Sequence, residues 1–296
     1  MKILNYSKQI SENDSQCLVC PHECILGQEQ LGICRNRIGS RIDGIASVIP
    51  YKPNYFSNMA VEPIEKKPFK MYLAGTKTLS SGKMGCQLFC QFCENFKTSQ
   101  LTMTDNSKKF SNEELIKIAK EKDCSSICLT YNEPTTQYEY IVSFSKKCYN
   151  SGLRFVLKTN AYINKSPWEL ICKNVDAINI DWKGSAKQYR DIAMVDKYVV
   201  LDRIQEAFDC GVHIEISIPV YSHIEMNEEY EKFASFLSDM GEEIINPWTN
   251  IFSKIPVHLL KIFPAYRFEN IKSTSDEKIR IVKGIFEKYG IPVFCS

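Results

Sequence analysis

The sequence lacks the features of membrane, secreted and nucleic-acid-binding proteins. No apolar run approaches the ~20 residues of a transmembrane helix, and the start, MKILNYSKQISENDSQ, is too polar for a signal peptide. The formal net charge is only +2 and no stripe is rich in lysine or arginine, so neither nucleic acid nor a membrane is an expected partner. These absences predict a cytoplasmic location.

Cysteine, in contrast, is abundant, with thirteen residues in 296. Because cytoplasmic thiols stay reduced, clustered cysteines there indicate metal or redox chemistry rather than disulfides. Two groups stand out, the first made of Cys17, Cys20, Cys24 and Cys34 and the second of Cys86, Cys90 and Cys93. We interpret the remaining cysteines, which are scattered, as small buried apolar residues.

The distribution of residue types along the chain predicts two parts. Residues 1–75, punctuated by cysteine, glycine and proline, form a cysteine-rich N-terminal extension, and residues 76–296 form one α/β domain. In the second part six candidate strands alternate with helices, which indicates a parallel sheet. The strands are Thr78–Met84, Ser126–Thr130, Arg154–Lys158, Ala177–Ile180, His213–Val220 and Val257–Phe263, and the helices are Asn112–Lys122, Thr136–Asn150, Trp168–Lys173, Val200–Asp209, Glu228–Met240 and Asp276–Tyr289.

The residues with the most chemistry follow several different strands. The second cysteine group comes after the first strand, Asn132 and Glu133 after the second, Thr159 and Asn160 after the third, and Asp181 to Lys183 after the fourth. Barrel enzymes assemble their sites in this way, at the carboxyl ends of the strands. We therefore predict a partial (β/α)6 TIM-like barrel, with a doubly wound open sheet as the alternative.

The loop KMGCQLFCQFCENF holds three cysteines at spacings of four and three positions and no fourth. A closed structural zinc site takes four protein ligands, whereas a site that performs chemistry keeps one position open. Three thiolates on a four-iron cluster leave one iron free to bind a small molecule. A cysteine-rich zinc loop is the alternative interpretation.

The C-x-x-x-C-x-x-C pattern after the first strand, with Phe92 before its last cysteine, resembles that of the radical S-adenosylmethionine (SAM) superfamily. The stretch VEPIEKKPFKMYLAGTKTLSSGKMGCQLFCQFCENFKTSQ resembles the branch of pyruvate formate-lyase activating enzyme. It is more similar still to the radical SAM proteins of the AmmeMemoRadiSam system, as is CLVCPHECILGQEQLGICRNR near the N-terminus. The likeness runs from about Cys17 to Phe268.

This resemblance implies a 4Fe–4S cluster on Cys86, Cys90 and Cys93, with SAM bound to the open iron. It also implies positions that contact SAM, although the family commonly has glycine where this chain has Ala161. The implied contacts are Asn132 and Glu133 at the SAM ammonium group, Lys158, Thr159 and Asn160 at the ribose, Asp181 and Lys183 at the ribose hydroxyls and carboxylate, and Phe92 and Tyr266 at the adenine.

The first cysteine group is a candidate second metal site. Four thiols that begin with a CxxC pair suit a closed zinc site or a second iron–sulfur cluster. His22 is a candidate substitute ligand. The alternative is that these residues only pack the extension.

The predicted function is reductive cleavage of SAM to a 5′-deoxyadenosyl radical, which abstracts hydrogen from a small-molecule or peptide substrate. A flavodoxin or ferredoxin-type protein would supply the electron, and the resemblance implies oxygen sensitivity. The alternative from the activating-enzyme resemblance is installation of a glycyl radical on a partner enzyme. A zinc-binding module without catalysis, or one acting on nucleic acid, is the more remote alternative.

Overall fold

The computed structural model describes residues 6–100, 107–246 and 251–295. The N-terminal part is built from short antiparallel strands. Three of them, β1 (Ser7–Gln9), β2 (Ser15–Cys17) and β3 (Ile25–Leu26), form one small sheet, and β4 (Arg37–Ile42) and β5 (Ile45–Pro50) form a hairpin. A further short strand is β6 (Tyr55–Phe56).

The main sheet contains eight strands and begins with β7 (Asn58–Pro63), which is antiparallel to β8 (Lys77–Gly82). The later strands are β9 (Lys108–Lys109), β10 (Ser126–Thr130), β11 (Arg154–Thr159), β12 (Ala177–Asp181), β13 (His213–Val220), β14 (Glu243–Asn246), β15 (Ile251–Ser253), β16 (Val257–Lys261) and β17 (Val293–Cys295). Of these, β9 pairs with β6 and β14 pairs with β15, outside the main sheet.

The helices alternate with these strands. They are α1 (Phe96–Ser99), α2 (Asn112–Glu121), α3 (Tyr138–Asn150), α4 (Lys165–Cys172), α5 (Ala186–Asp191), α6 (Val200–Asp209), α7 (Asn227–Asp239) and α8 (Asp276–Lys288), with 3₁₀ helices at Ile64–Lys66, Pro134–Gln137 and Tyr266–Phe268. The capping box of Ser111 and Glu114 is present at the start of α2. Helix α4 begins earlier than predicted because Pro167 falls in its first turn, where proline is tolerated. No helix in the described ranges is long and apolar enough to cross a membrane.

The strand order of the main sheet is β17-β16-β13-β12-β11-β10-β8-β7. From β8 onward neighbouring strands are parallel and follow one another in chain order, without the reversal that defines a doubly wound sheet. The prediction of a partial (β/α)6 TIM-like barrel is therefore confirmed, and the doubly wound alternative is wrong. Strands β10 and β13 are buried along their whole length, as expected for parallel strands covered on both faces.

The segment after β7 closes the amino end of the barrel. Ile64, Phe69 and Tyr72 are buried against interior residues of β10, β11 and β12. The carboxylate of Glu215, near the start of β13, accepts hydrogen bonds from the backbone N–H groups of residues 70, 71 and 72 at 2.9 to 3.1 Å. The open end of the barrel is therefore the other one, where the strands end.

The N-terminal extension contacts the barrel through buried polar side chains. Arg37 donates to both oxygens of Glu139 on α3 at 2.7 Å, and Asn36 donates to Thr136 at 2.9 Å. The main sheet itself starts at Asn58, inside the stretch 1–75 that sequence analysis assigned to the extension. The change of texture near residue 76 marks the first parallel strand rather than the first strand of the sheet.

Candidate functional site

A cavity of about 320 Å³ opens at the carboxyl ends of the parallel strands. It brings together ten of the residues that the sequence singled out, although they come from four different strand ends. These residues are Cys86, Cys90, Phe92, Cys93, Asn132, Lys158, Thr159, Asn160, Asp181 and Lys183.

The three cysteines lie in the loop between β8 and α1. Gly85, which precedes them, has a φ of 70°, and a Cβ atom there would collide with the carbonyl oxygen of Cys34. The Cys86 sulfur accepts hydrogen bonds from the backbone N–H of Leu88 at 3.4 Å and from Asn160 Nδ2 at 3.5 Å. Burial raises the pKa of the Cys90 thiol to about 12, so this thiol binds a metal only when the metal displaces its proton.

The positions of these thiols fit a cluster better than a single ion. Three soft sulfur donors face one cavity, and no fourth cysteine of the described chain lines it. Within residues 6–100, 107–246 and 251–295, no three histidine, cysteine, aspartate or glutamate side chains are placed to hold one metal ion. In an iron–sulfur cluster each thiolate binds a different iron, so the sulfurs need not converge on one point.

Asp181 lies between two lysines at the end of β12. Its carboxylate accepts from Lys158 Nζ at 2.6 Å and from Lys183 Nζ at 3.2 Å. Burial alone would raise the pKa of Asp181, but the two ammonium groups outweigh it and hold that pKa at about 2. The Asp181 contact likewise raises the pKa of Lys183 against the opposing effect of burial. The site therefore presents a fixed carboxylate and two fixed ammonium groups to the cavity.

Glu133 is fully buried and does not line the cavity. Its carboxylate accepts from the Thr159 hydroxyl at 2.6 Å, from the Asn160 backbone N–H at 2.8 Å, and from the hydroxyl and N–H of Thr135 at 2.6 and 3.0 Å. These contacts join the ends of β10 and β11. Asn132 does line the cavity, and its amide donates to Thr98 and Ser99.

The two aromatic residues expected at the adenine are placed differently. Phe92 lines the cavity, packs edge-on against Tyr221 and lies 5.7 Å from the Lys183 ammonium. Tyr266 lies outside the cavity lining, where its ring stacks on Phe96 with centroids 4.8 Å apart. Tyr266 therefore contacts the helix after the cysteine loop rather than the cavity.

The four N-terminal cysteines share a separate, very small cavity of about 10 Å³ with Arg37 and Thr136. Burial raises the pKa of the Cys34 thiol to about 12. As placed, no three of them converge on a single ion, and the space between them is far smaller than a four-iron cluster. His22 is engaged elsewhere, since its Nε2 lies 2.8 Å from the carbonyl oxygen of Gln87 in the second cysteine loop.

Other cavity residues were given no role by the sequence. They include Lys66, Lys67, Tyr131 and Lys261. The first two belong to the EKKPF stretch, which was used only as part of a family resemblance. A pair of lysines is usually a solvated surface feature, so the sequence alone offered no signal that Lys67 is buried.

A cavity of this construction, at the strand ends of a parallel barrel, has the arrangement of a barrel enzyme site. A sequence model of the Radical SAM superfamily matches residues 83–237, just over half of the chain. The chain belongs to the radical SAM superfamily, as predicted. It is therefore an enzyme of a superfamily that uses a 4Fe–4S cluster and SAM.

The chain is also similar to individual proteins. An uncharacterized protein of Methanocaldococcus jannaschii is 26% identical over 98% of this chain and 83% of its own length. A radical SAM methyltransferase from Sphaerobacter thermophilus has a TM-score of 0.55 at 13% identity, over 99% of this chain and 77% of that one. SuiB from Streptococcus suis, bound to SAM, has a TM-score of 0.54 at 15% identity, over 72% of this chain and 48% of SuiB. At such identities the structural likeness concerns the fold alone.

Proposed function

We propose that this enzyme cleaves SAM reductively at a 4Fe–4S cluster held by Cys86, Cys90 and Cys93, and that it abstracts hydrogen from a small-molecule or peptide substrate. The observation that carries the proposal is the shared cavity, which joins three thiols to charged strand-end residues. The cluster, when bound and reduced by a flavodoxin or ferredoxin-type donor, supplies the electron that splits SAM into methionine and a 5′-deoxyadenosyl radical.

The protein's own residues would bind and orient SAM. The carboxylate of SAM would be matched by the ammonium group of Lys183, which Asp181 fixes, and Asn132, which lines the cavity, is the candidate contact for the SAM ammonium group. Thr159 and Asn160 are fixed by Glu133, so their polar atoms would meet the ribose in one orientation. Phe92 offers an apolar face for the adenine. Buried side chains such as Leu88 exclude water from the cysteine end of the cavity.

Direct modification of a small substrate is favoured over installation of a glycyl radical. The sequence has no eight-cysteine ferredoxin-like insert, a feature that many glycyl radical activating enzymes carry. We therefore rank a small molecule or short peptide segment first and a partner enzyme second. The same preparation can test both substrate classes once SAM cleavage is measured.

The test is anaerobic reconstitution of the full chain, followed by iron and zinc counts and an assay for 5′-deoxyadenosine with SAM and dithionite. The wild type is compared with a Cys86→Ala/Cys90→Ala/Cys93→Ala triple variant. The proposal predicts about four irons per chain that are lost in the variant, and 5′-deoxyadenosine from the wild type alone. Zinc without iron, and no SAM cleavage, would refute it.

The same experiment decides the N-terminal group. Metal binding by Cys17, Cys20, Cys24 and Cys34 stays a prediction beside the alternative of packing alone: the four thiols line one very small cavity, but as placed no three of them converge on one ion. Four irons or one zinc that survive in the triple variant would support it. A matched variant with all four N-terminal cysteines changed to serine should then lose that metal and keep the cluster. A metal-free triple variant would show that these cysteines only pack the extension.

A further inference from the structure

One part of the cavity is not used by the proposed cluster and SAM contacts. It is lined by Lys66 and Lys67, which follow β7 at the end of the 3₁₀ helix Ile64–Lys66, and by Tyr131, which follows β10. None of these three residues was assigned to the cluster or to SAM. This region, the Lys66–Lys67 pocket, is therefore available to the substrate.

The charge of the cavity is uneven. Its lining contains five lysines, Lys66, Lys67, Lys158, Lys183 and Lys261, and two acidic residues, Glu94 and Asp181. Asp181 is shared by Lys158 and Lys183, and Lys261 pairs with Asp276 at 2.6 Å. Asp181 and Asp276 thus pair with the other three lysines, and the carboxylate that pairs with Lys66 and Lys67 is a different one.

A single carboxylate serves both lysines of the Lys66–Lys67 pocket. Glu62 forms an ion pair with Lys67, lies 3.8 Å from Lys66, and also accepts the Tyr131 hydroxyl at 2.9 Å. The buried Lys67 is thus paired, whereas Lys66, whose side chain is 66% exposed, keeps a water-accessible ammonium group that an anion in the cavity can contact.

Lys67 and Tyr131 show that the pocket is built rather than accidental. Lys67 is only 4% exposed, so most of its ammonium hydration is lost, and burial of a charge is costly unless it is paired. The Tyr131 ring centroid lies 4.3 Å from this ammonium, a cation–π distance. Tyr131 holds this position with a φ of 69°, a left-handed conformation that a bulky residue rarely adopts. Such strained residues concentrate at functional sites.

We infer that the substrate carries an anionic group, a carboxylate or a phosphate, that binds to the ammonium groups of Lys66 and Lys67. Lysine presents a compact positive charge that suits both groups, and the hydrogen bonds formed are charge-assisted. The inference rests on the proposed function, because it assigns the anion to the substrate of that site. It narrows the substrate class to acidic small molecules and acidic peptides.

The test is a calorimetric titration of inorganic phosphate, and separately of malonate, into the reconstituted full-length enzyme with SAM present. A Lys66→Met/Lys67→Met variant should bind the better of the two anions at least ~10-fold more weakly, because each charge-assisted hydrogen bond lost costs about that factor. Lys283→Met is the matched control, since Lys283 lies on α8, pairs with Glu287 and does not line the cavity. Its affinity should equal that of the wild type.

Two further variants keep the test decisive. Lys66→Met alone changes a side chain that is 66% exposed. This single variant should therefore keep the fold even if the loss of the buried Lys67 disrupts it in the double variant. Glu62→Gln removes the competing carboxylate and keeps a hydrogen-bond acceptor for Lys67 and Tyr131. It should therefore tighten anion binding, an outcome that a purely structural role for this pocket would not produce.

The outcomes separate the two proposals. No binding of either anion by the wild type, equal binding by the double-lysine variant, or weaker binding by Glu62→Gln would overturn the inference. Assays of 5′-deoxyadenosine on the same preparations report on the proposed function independently. SAM cleavage without lysine-dependent anion binding would refute only the anion site, whereas lysine-dependent anion binding without SAM cleavage would refute only the radical mechanism. Tighter binding of phosphate than of malonate would assign the group as phosphoryl, and the reverse as carboxylate.

Discussion

Two fully buried glutamates, one at each end of the barrel, have pKa values that are shifted in opposite directions. Glu133 at the carboxyl end is surrounded by neutral donors, two hydroxyls and two backbone N–H groups. Burial outweighs them and raises its pKa. Burial also acts on Glu215 near the amino end, but its contacts with His213 and His258 prevail and lower its pKa to about 2.

The difference shows that burial of a carboxylate does not identify a functional site. Glu215 fixes the segment that closes the barrel, and it does not line the cavity. Glu133 supports the residues that line the cavity without lining it. Asp181, in contrast, does line the cavity, and two lysines lower its pKa. A position in the cavity lining, rather than burial or a shifted pKa, therefore identifies a side chain of the candidate site.

The largest expected effect is on stability and comes from Glu215. Glu215→Gln removes the charge that accepts three backbone N–H groups and contacts two histidines, so it should lower the free energy of unfolding by about 3–5 kcal/mol. Urea unfolding of the metal-free protein measures this. Glu225→Gln, at a carboxylate that is 78% exposed and paired with Lys278, should cost at most about 1 kcal/mol. Equal costs for the two variants would contradict the structural importance of the buried group.

The pH dependence should separate the ends further. A carboxyl group whose folded pKa lies below its unfolded value of 4.5 stabilises the fold above pH 4.5 and loses that contribution as the pH falls towards 2. The stability difference between the wild type and Glu215→Gln should therefore shrink over this range. Glu133 has the opposite sign, since its raised pKa makes ionisation unfavourable in the folded state and acidification relieves this cost. A stability difference for Glu215→Gln that does not change between pH 5 and 2.5, chosen to span roughly this range, would contradict the assignment.

Asp181 should affect SAM more than stability. Asp181→Asn removes the carboxylate that fixes Lys158 and Lys183 in the cavity, so SAM should bind the reconstituted enzyme ~10–100-fold more weakly, as when a supporting partner of a metal-site ligand is removed. Calorimetric titration with SAM measures this. Glu225→Gln, at a carboxylate that is 78% exposed and pairs with Lys278 outside the cavity lining, is the control and should leave the affinity unchanged. If Glu215→Gln lost as much SAM affinity as Asp181→Asn, the result would contradict the assignment of SAM binding to the carboxyl end of the barrel.

The carboxyl end was predictable from the sequence because its signals are local. Strand ends carry short runs of unusual residues, such as INIDWKGS around Asp181, and a parallel barrel gathers such runs at one edge. The three cysteines within eight residues are a stronger signal of the same kind. Six strands and their order followed from the alternation of apolar and helical segments.

The amino end was not predictable because its contacts are long-range. Glu215 meets the backbone of residues 70–72 across more than 140 positions and meets His258 across 43, and no spacing rule links them. The Lys66–Lys67 pocket was not predicted for the same reason, because its partners Glu62, on β7, and Tyr131, directly after β10, are far apart in the sequence. Glu133 was predicted to meet SAM because the family resemblance of the segment after the second strand implied it, whereas the four donors around its carboxylate emerge only in the folded chain.

The smallest expected effect comes from Glu133 and decides its role. Its carboxylate already accepts four hydrogen bonds from the protein, so we expect no direct bond to SAM. Glu133→Gln replaces one acceptor oxygen with a donor and should cost about 1–3 kcal/mol of unfolding free energy, less than Glu215→Gln, whose carboxylate accepts three backbone N–H groups and contacts two histidines. SAM affinity should fall by less than about tenfold, through the loosened Asn160. A larger loss of affinity with unchanged stability would instead place the carboxylate at the SAM ammonium group, as the family resemblance implied.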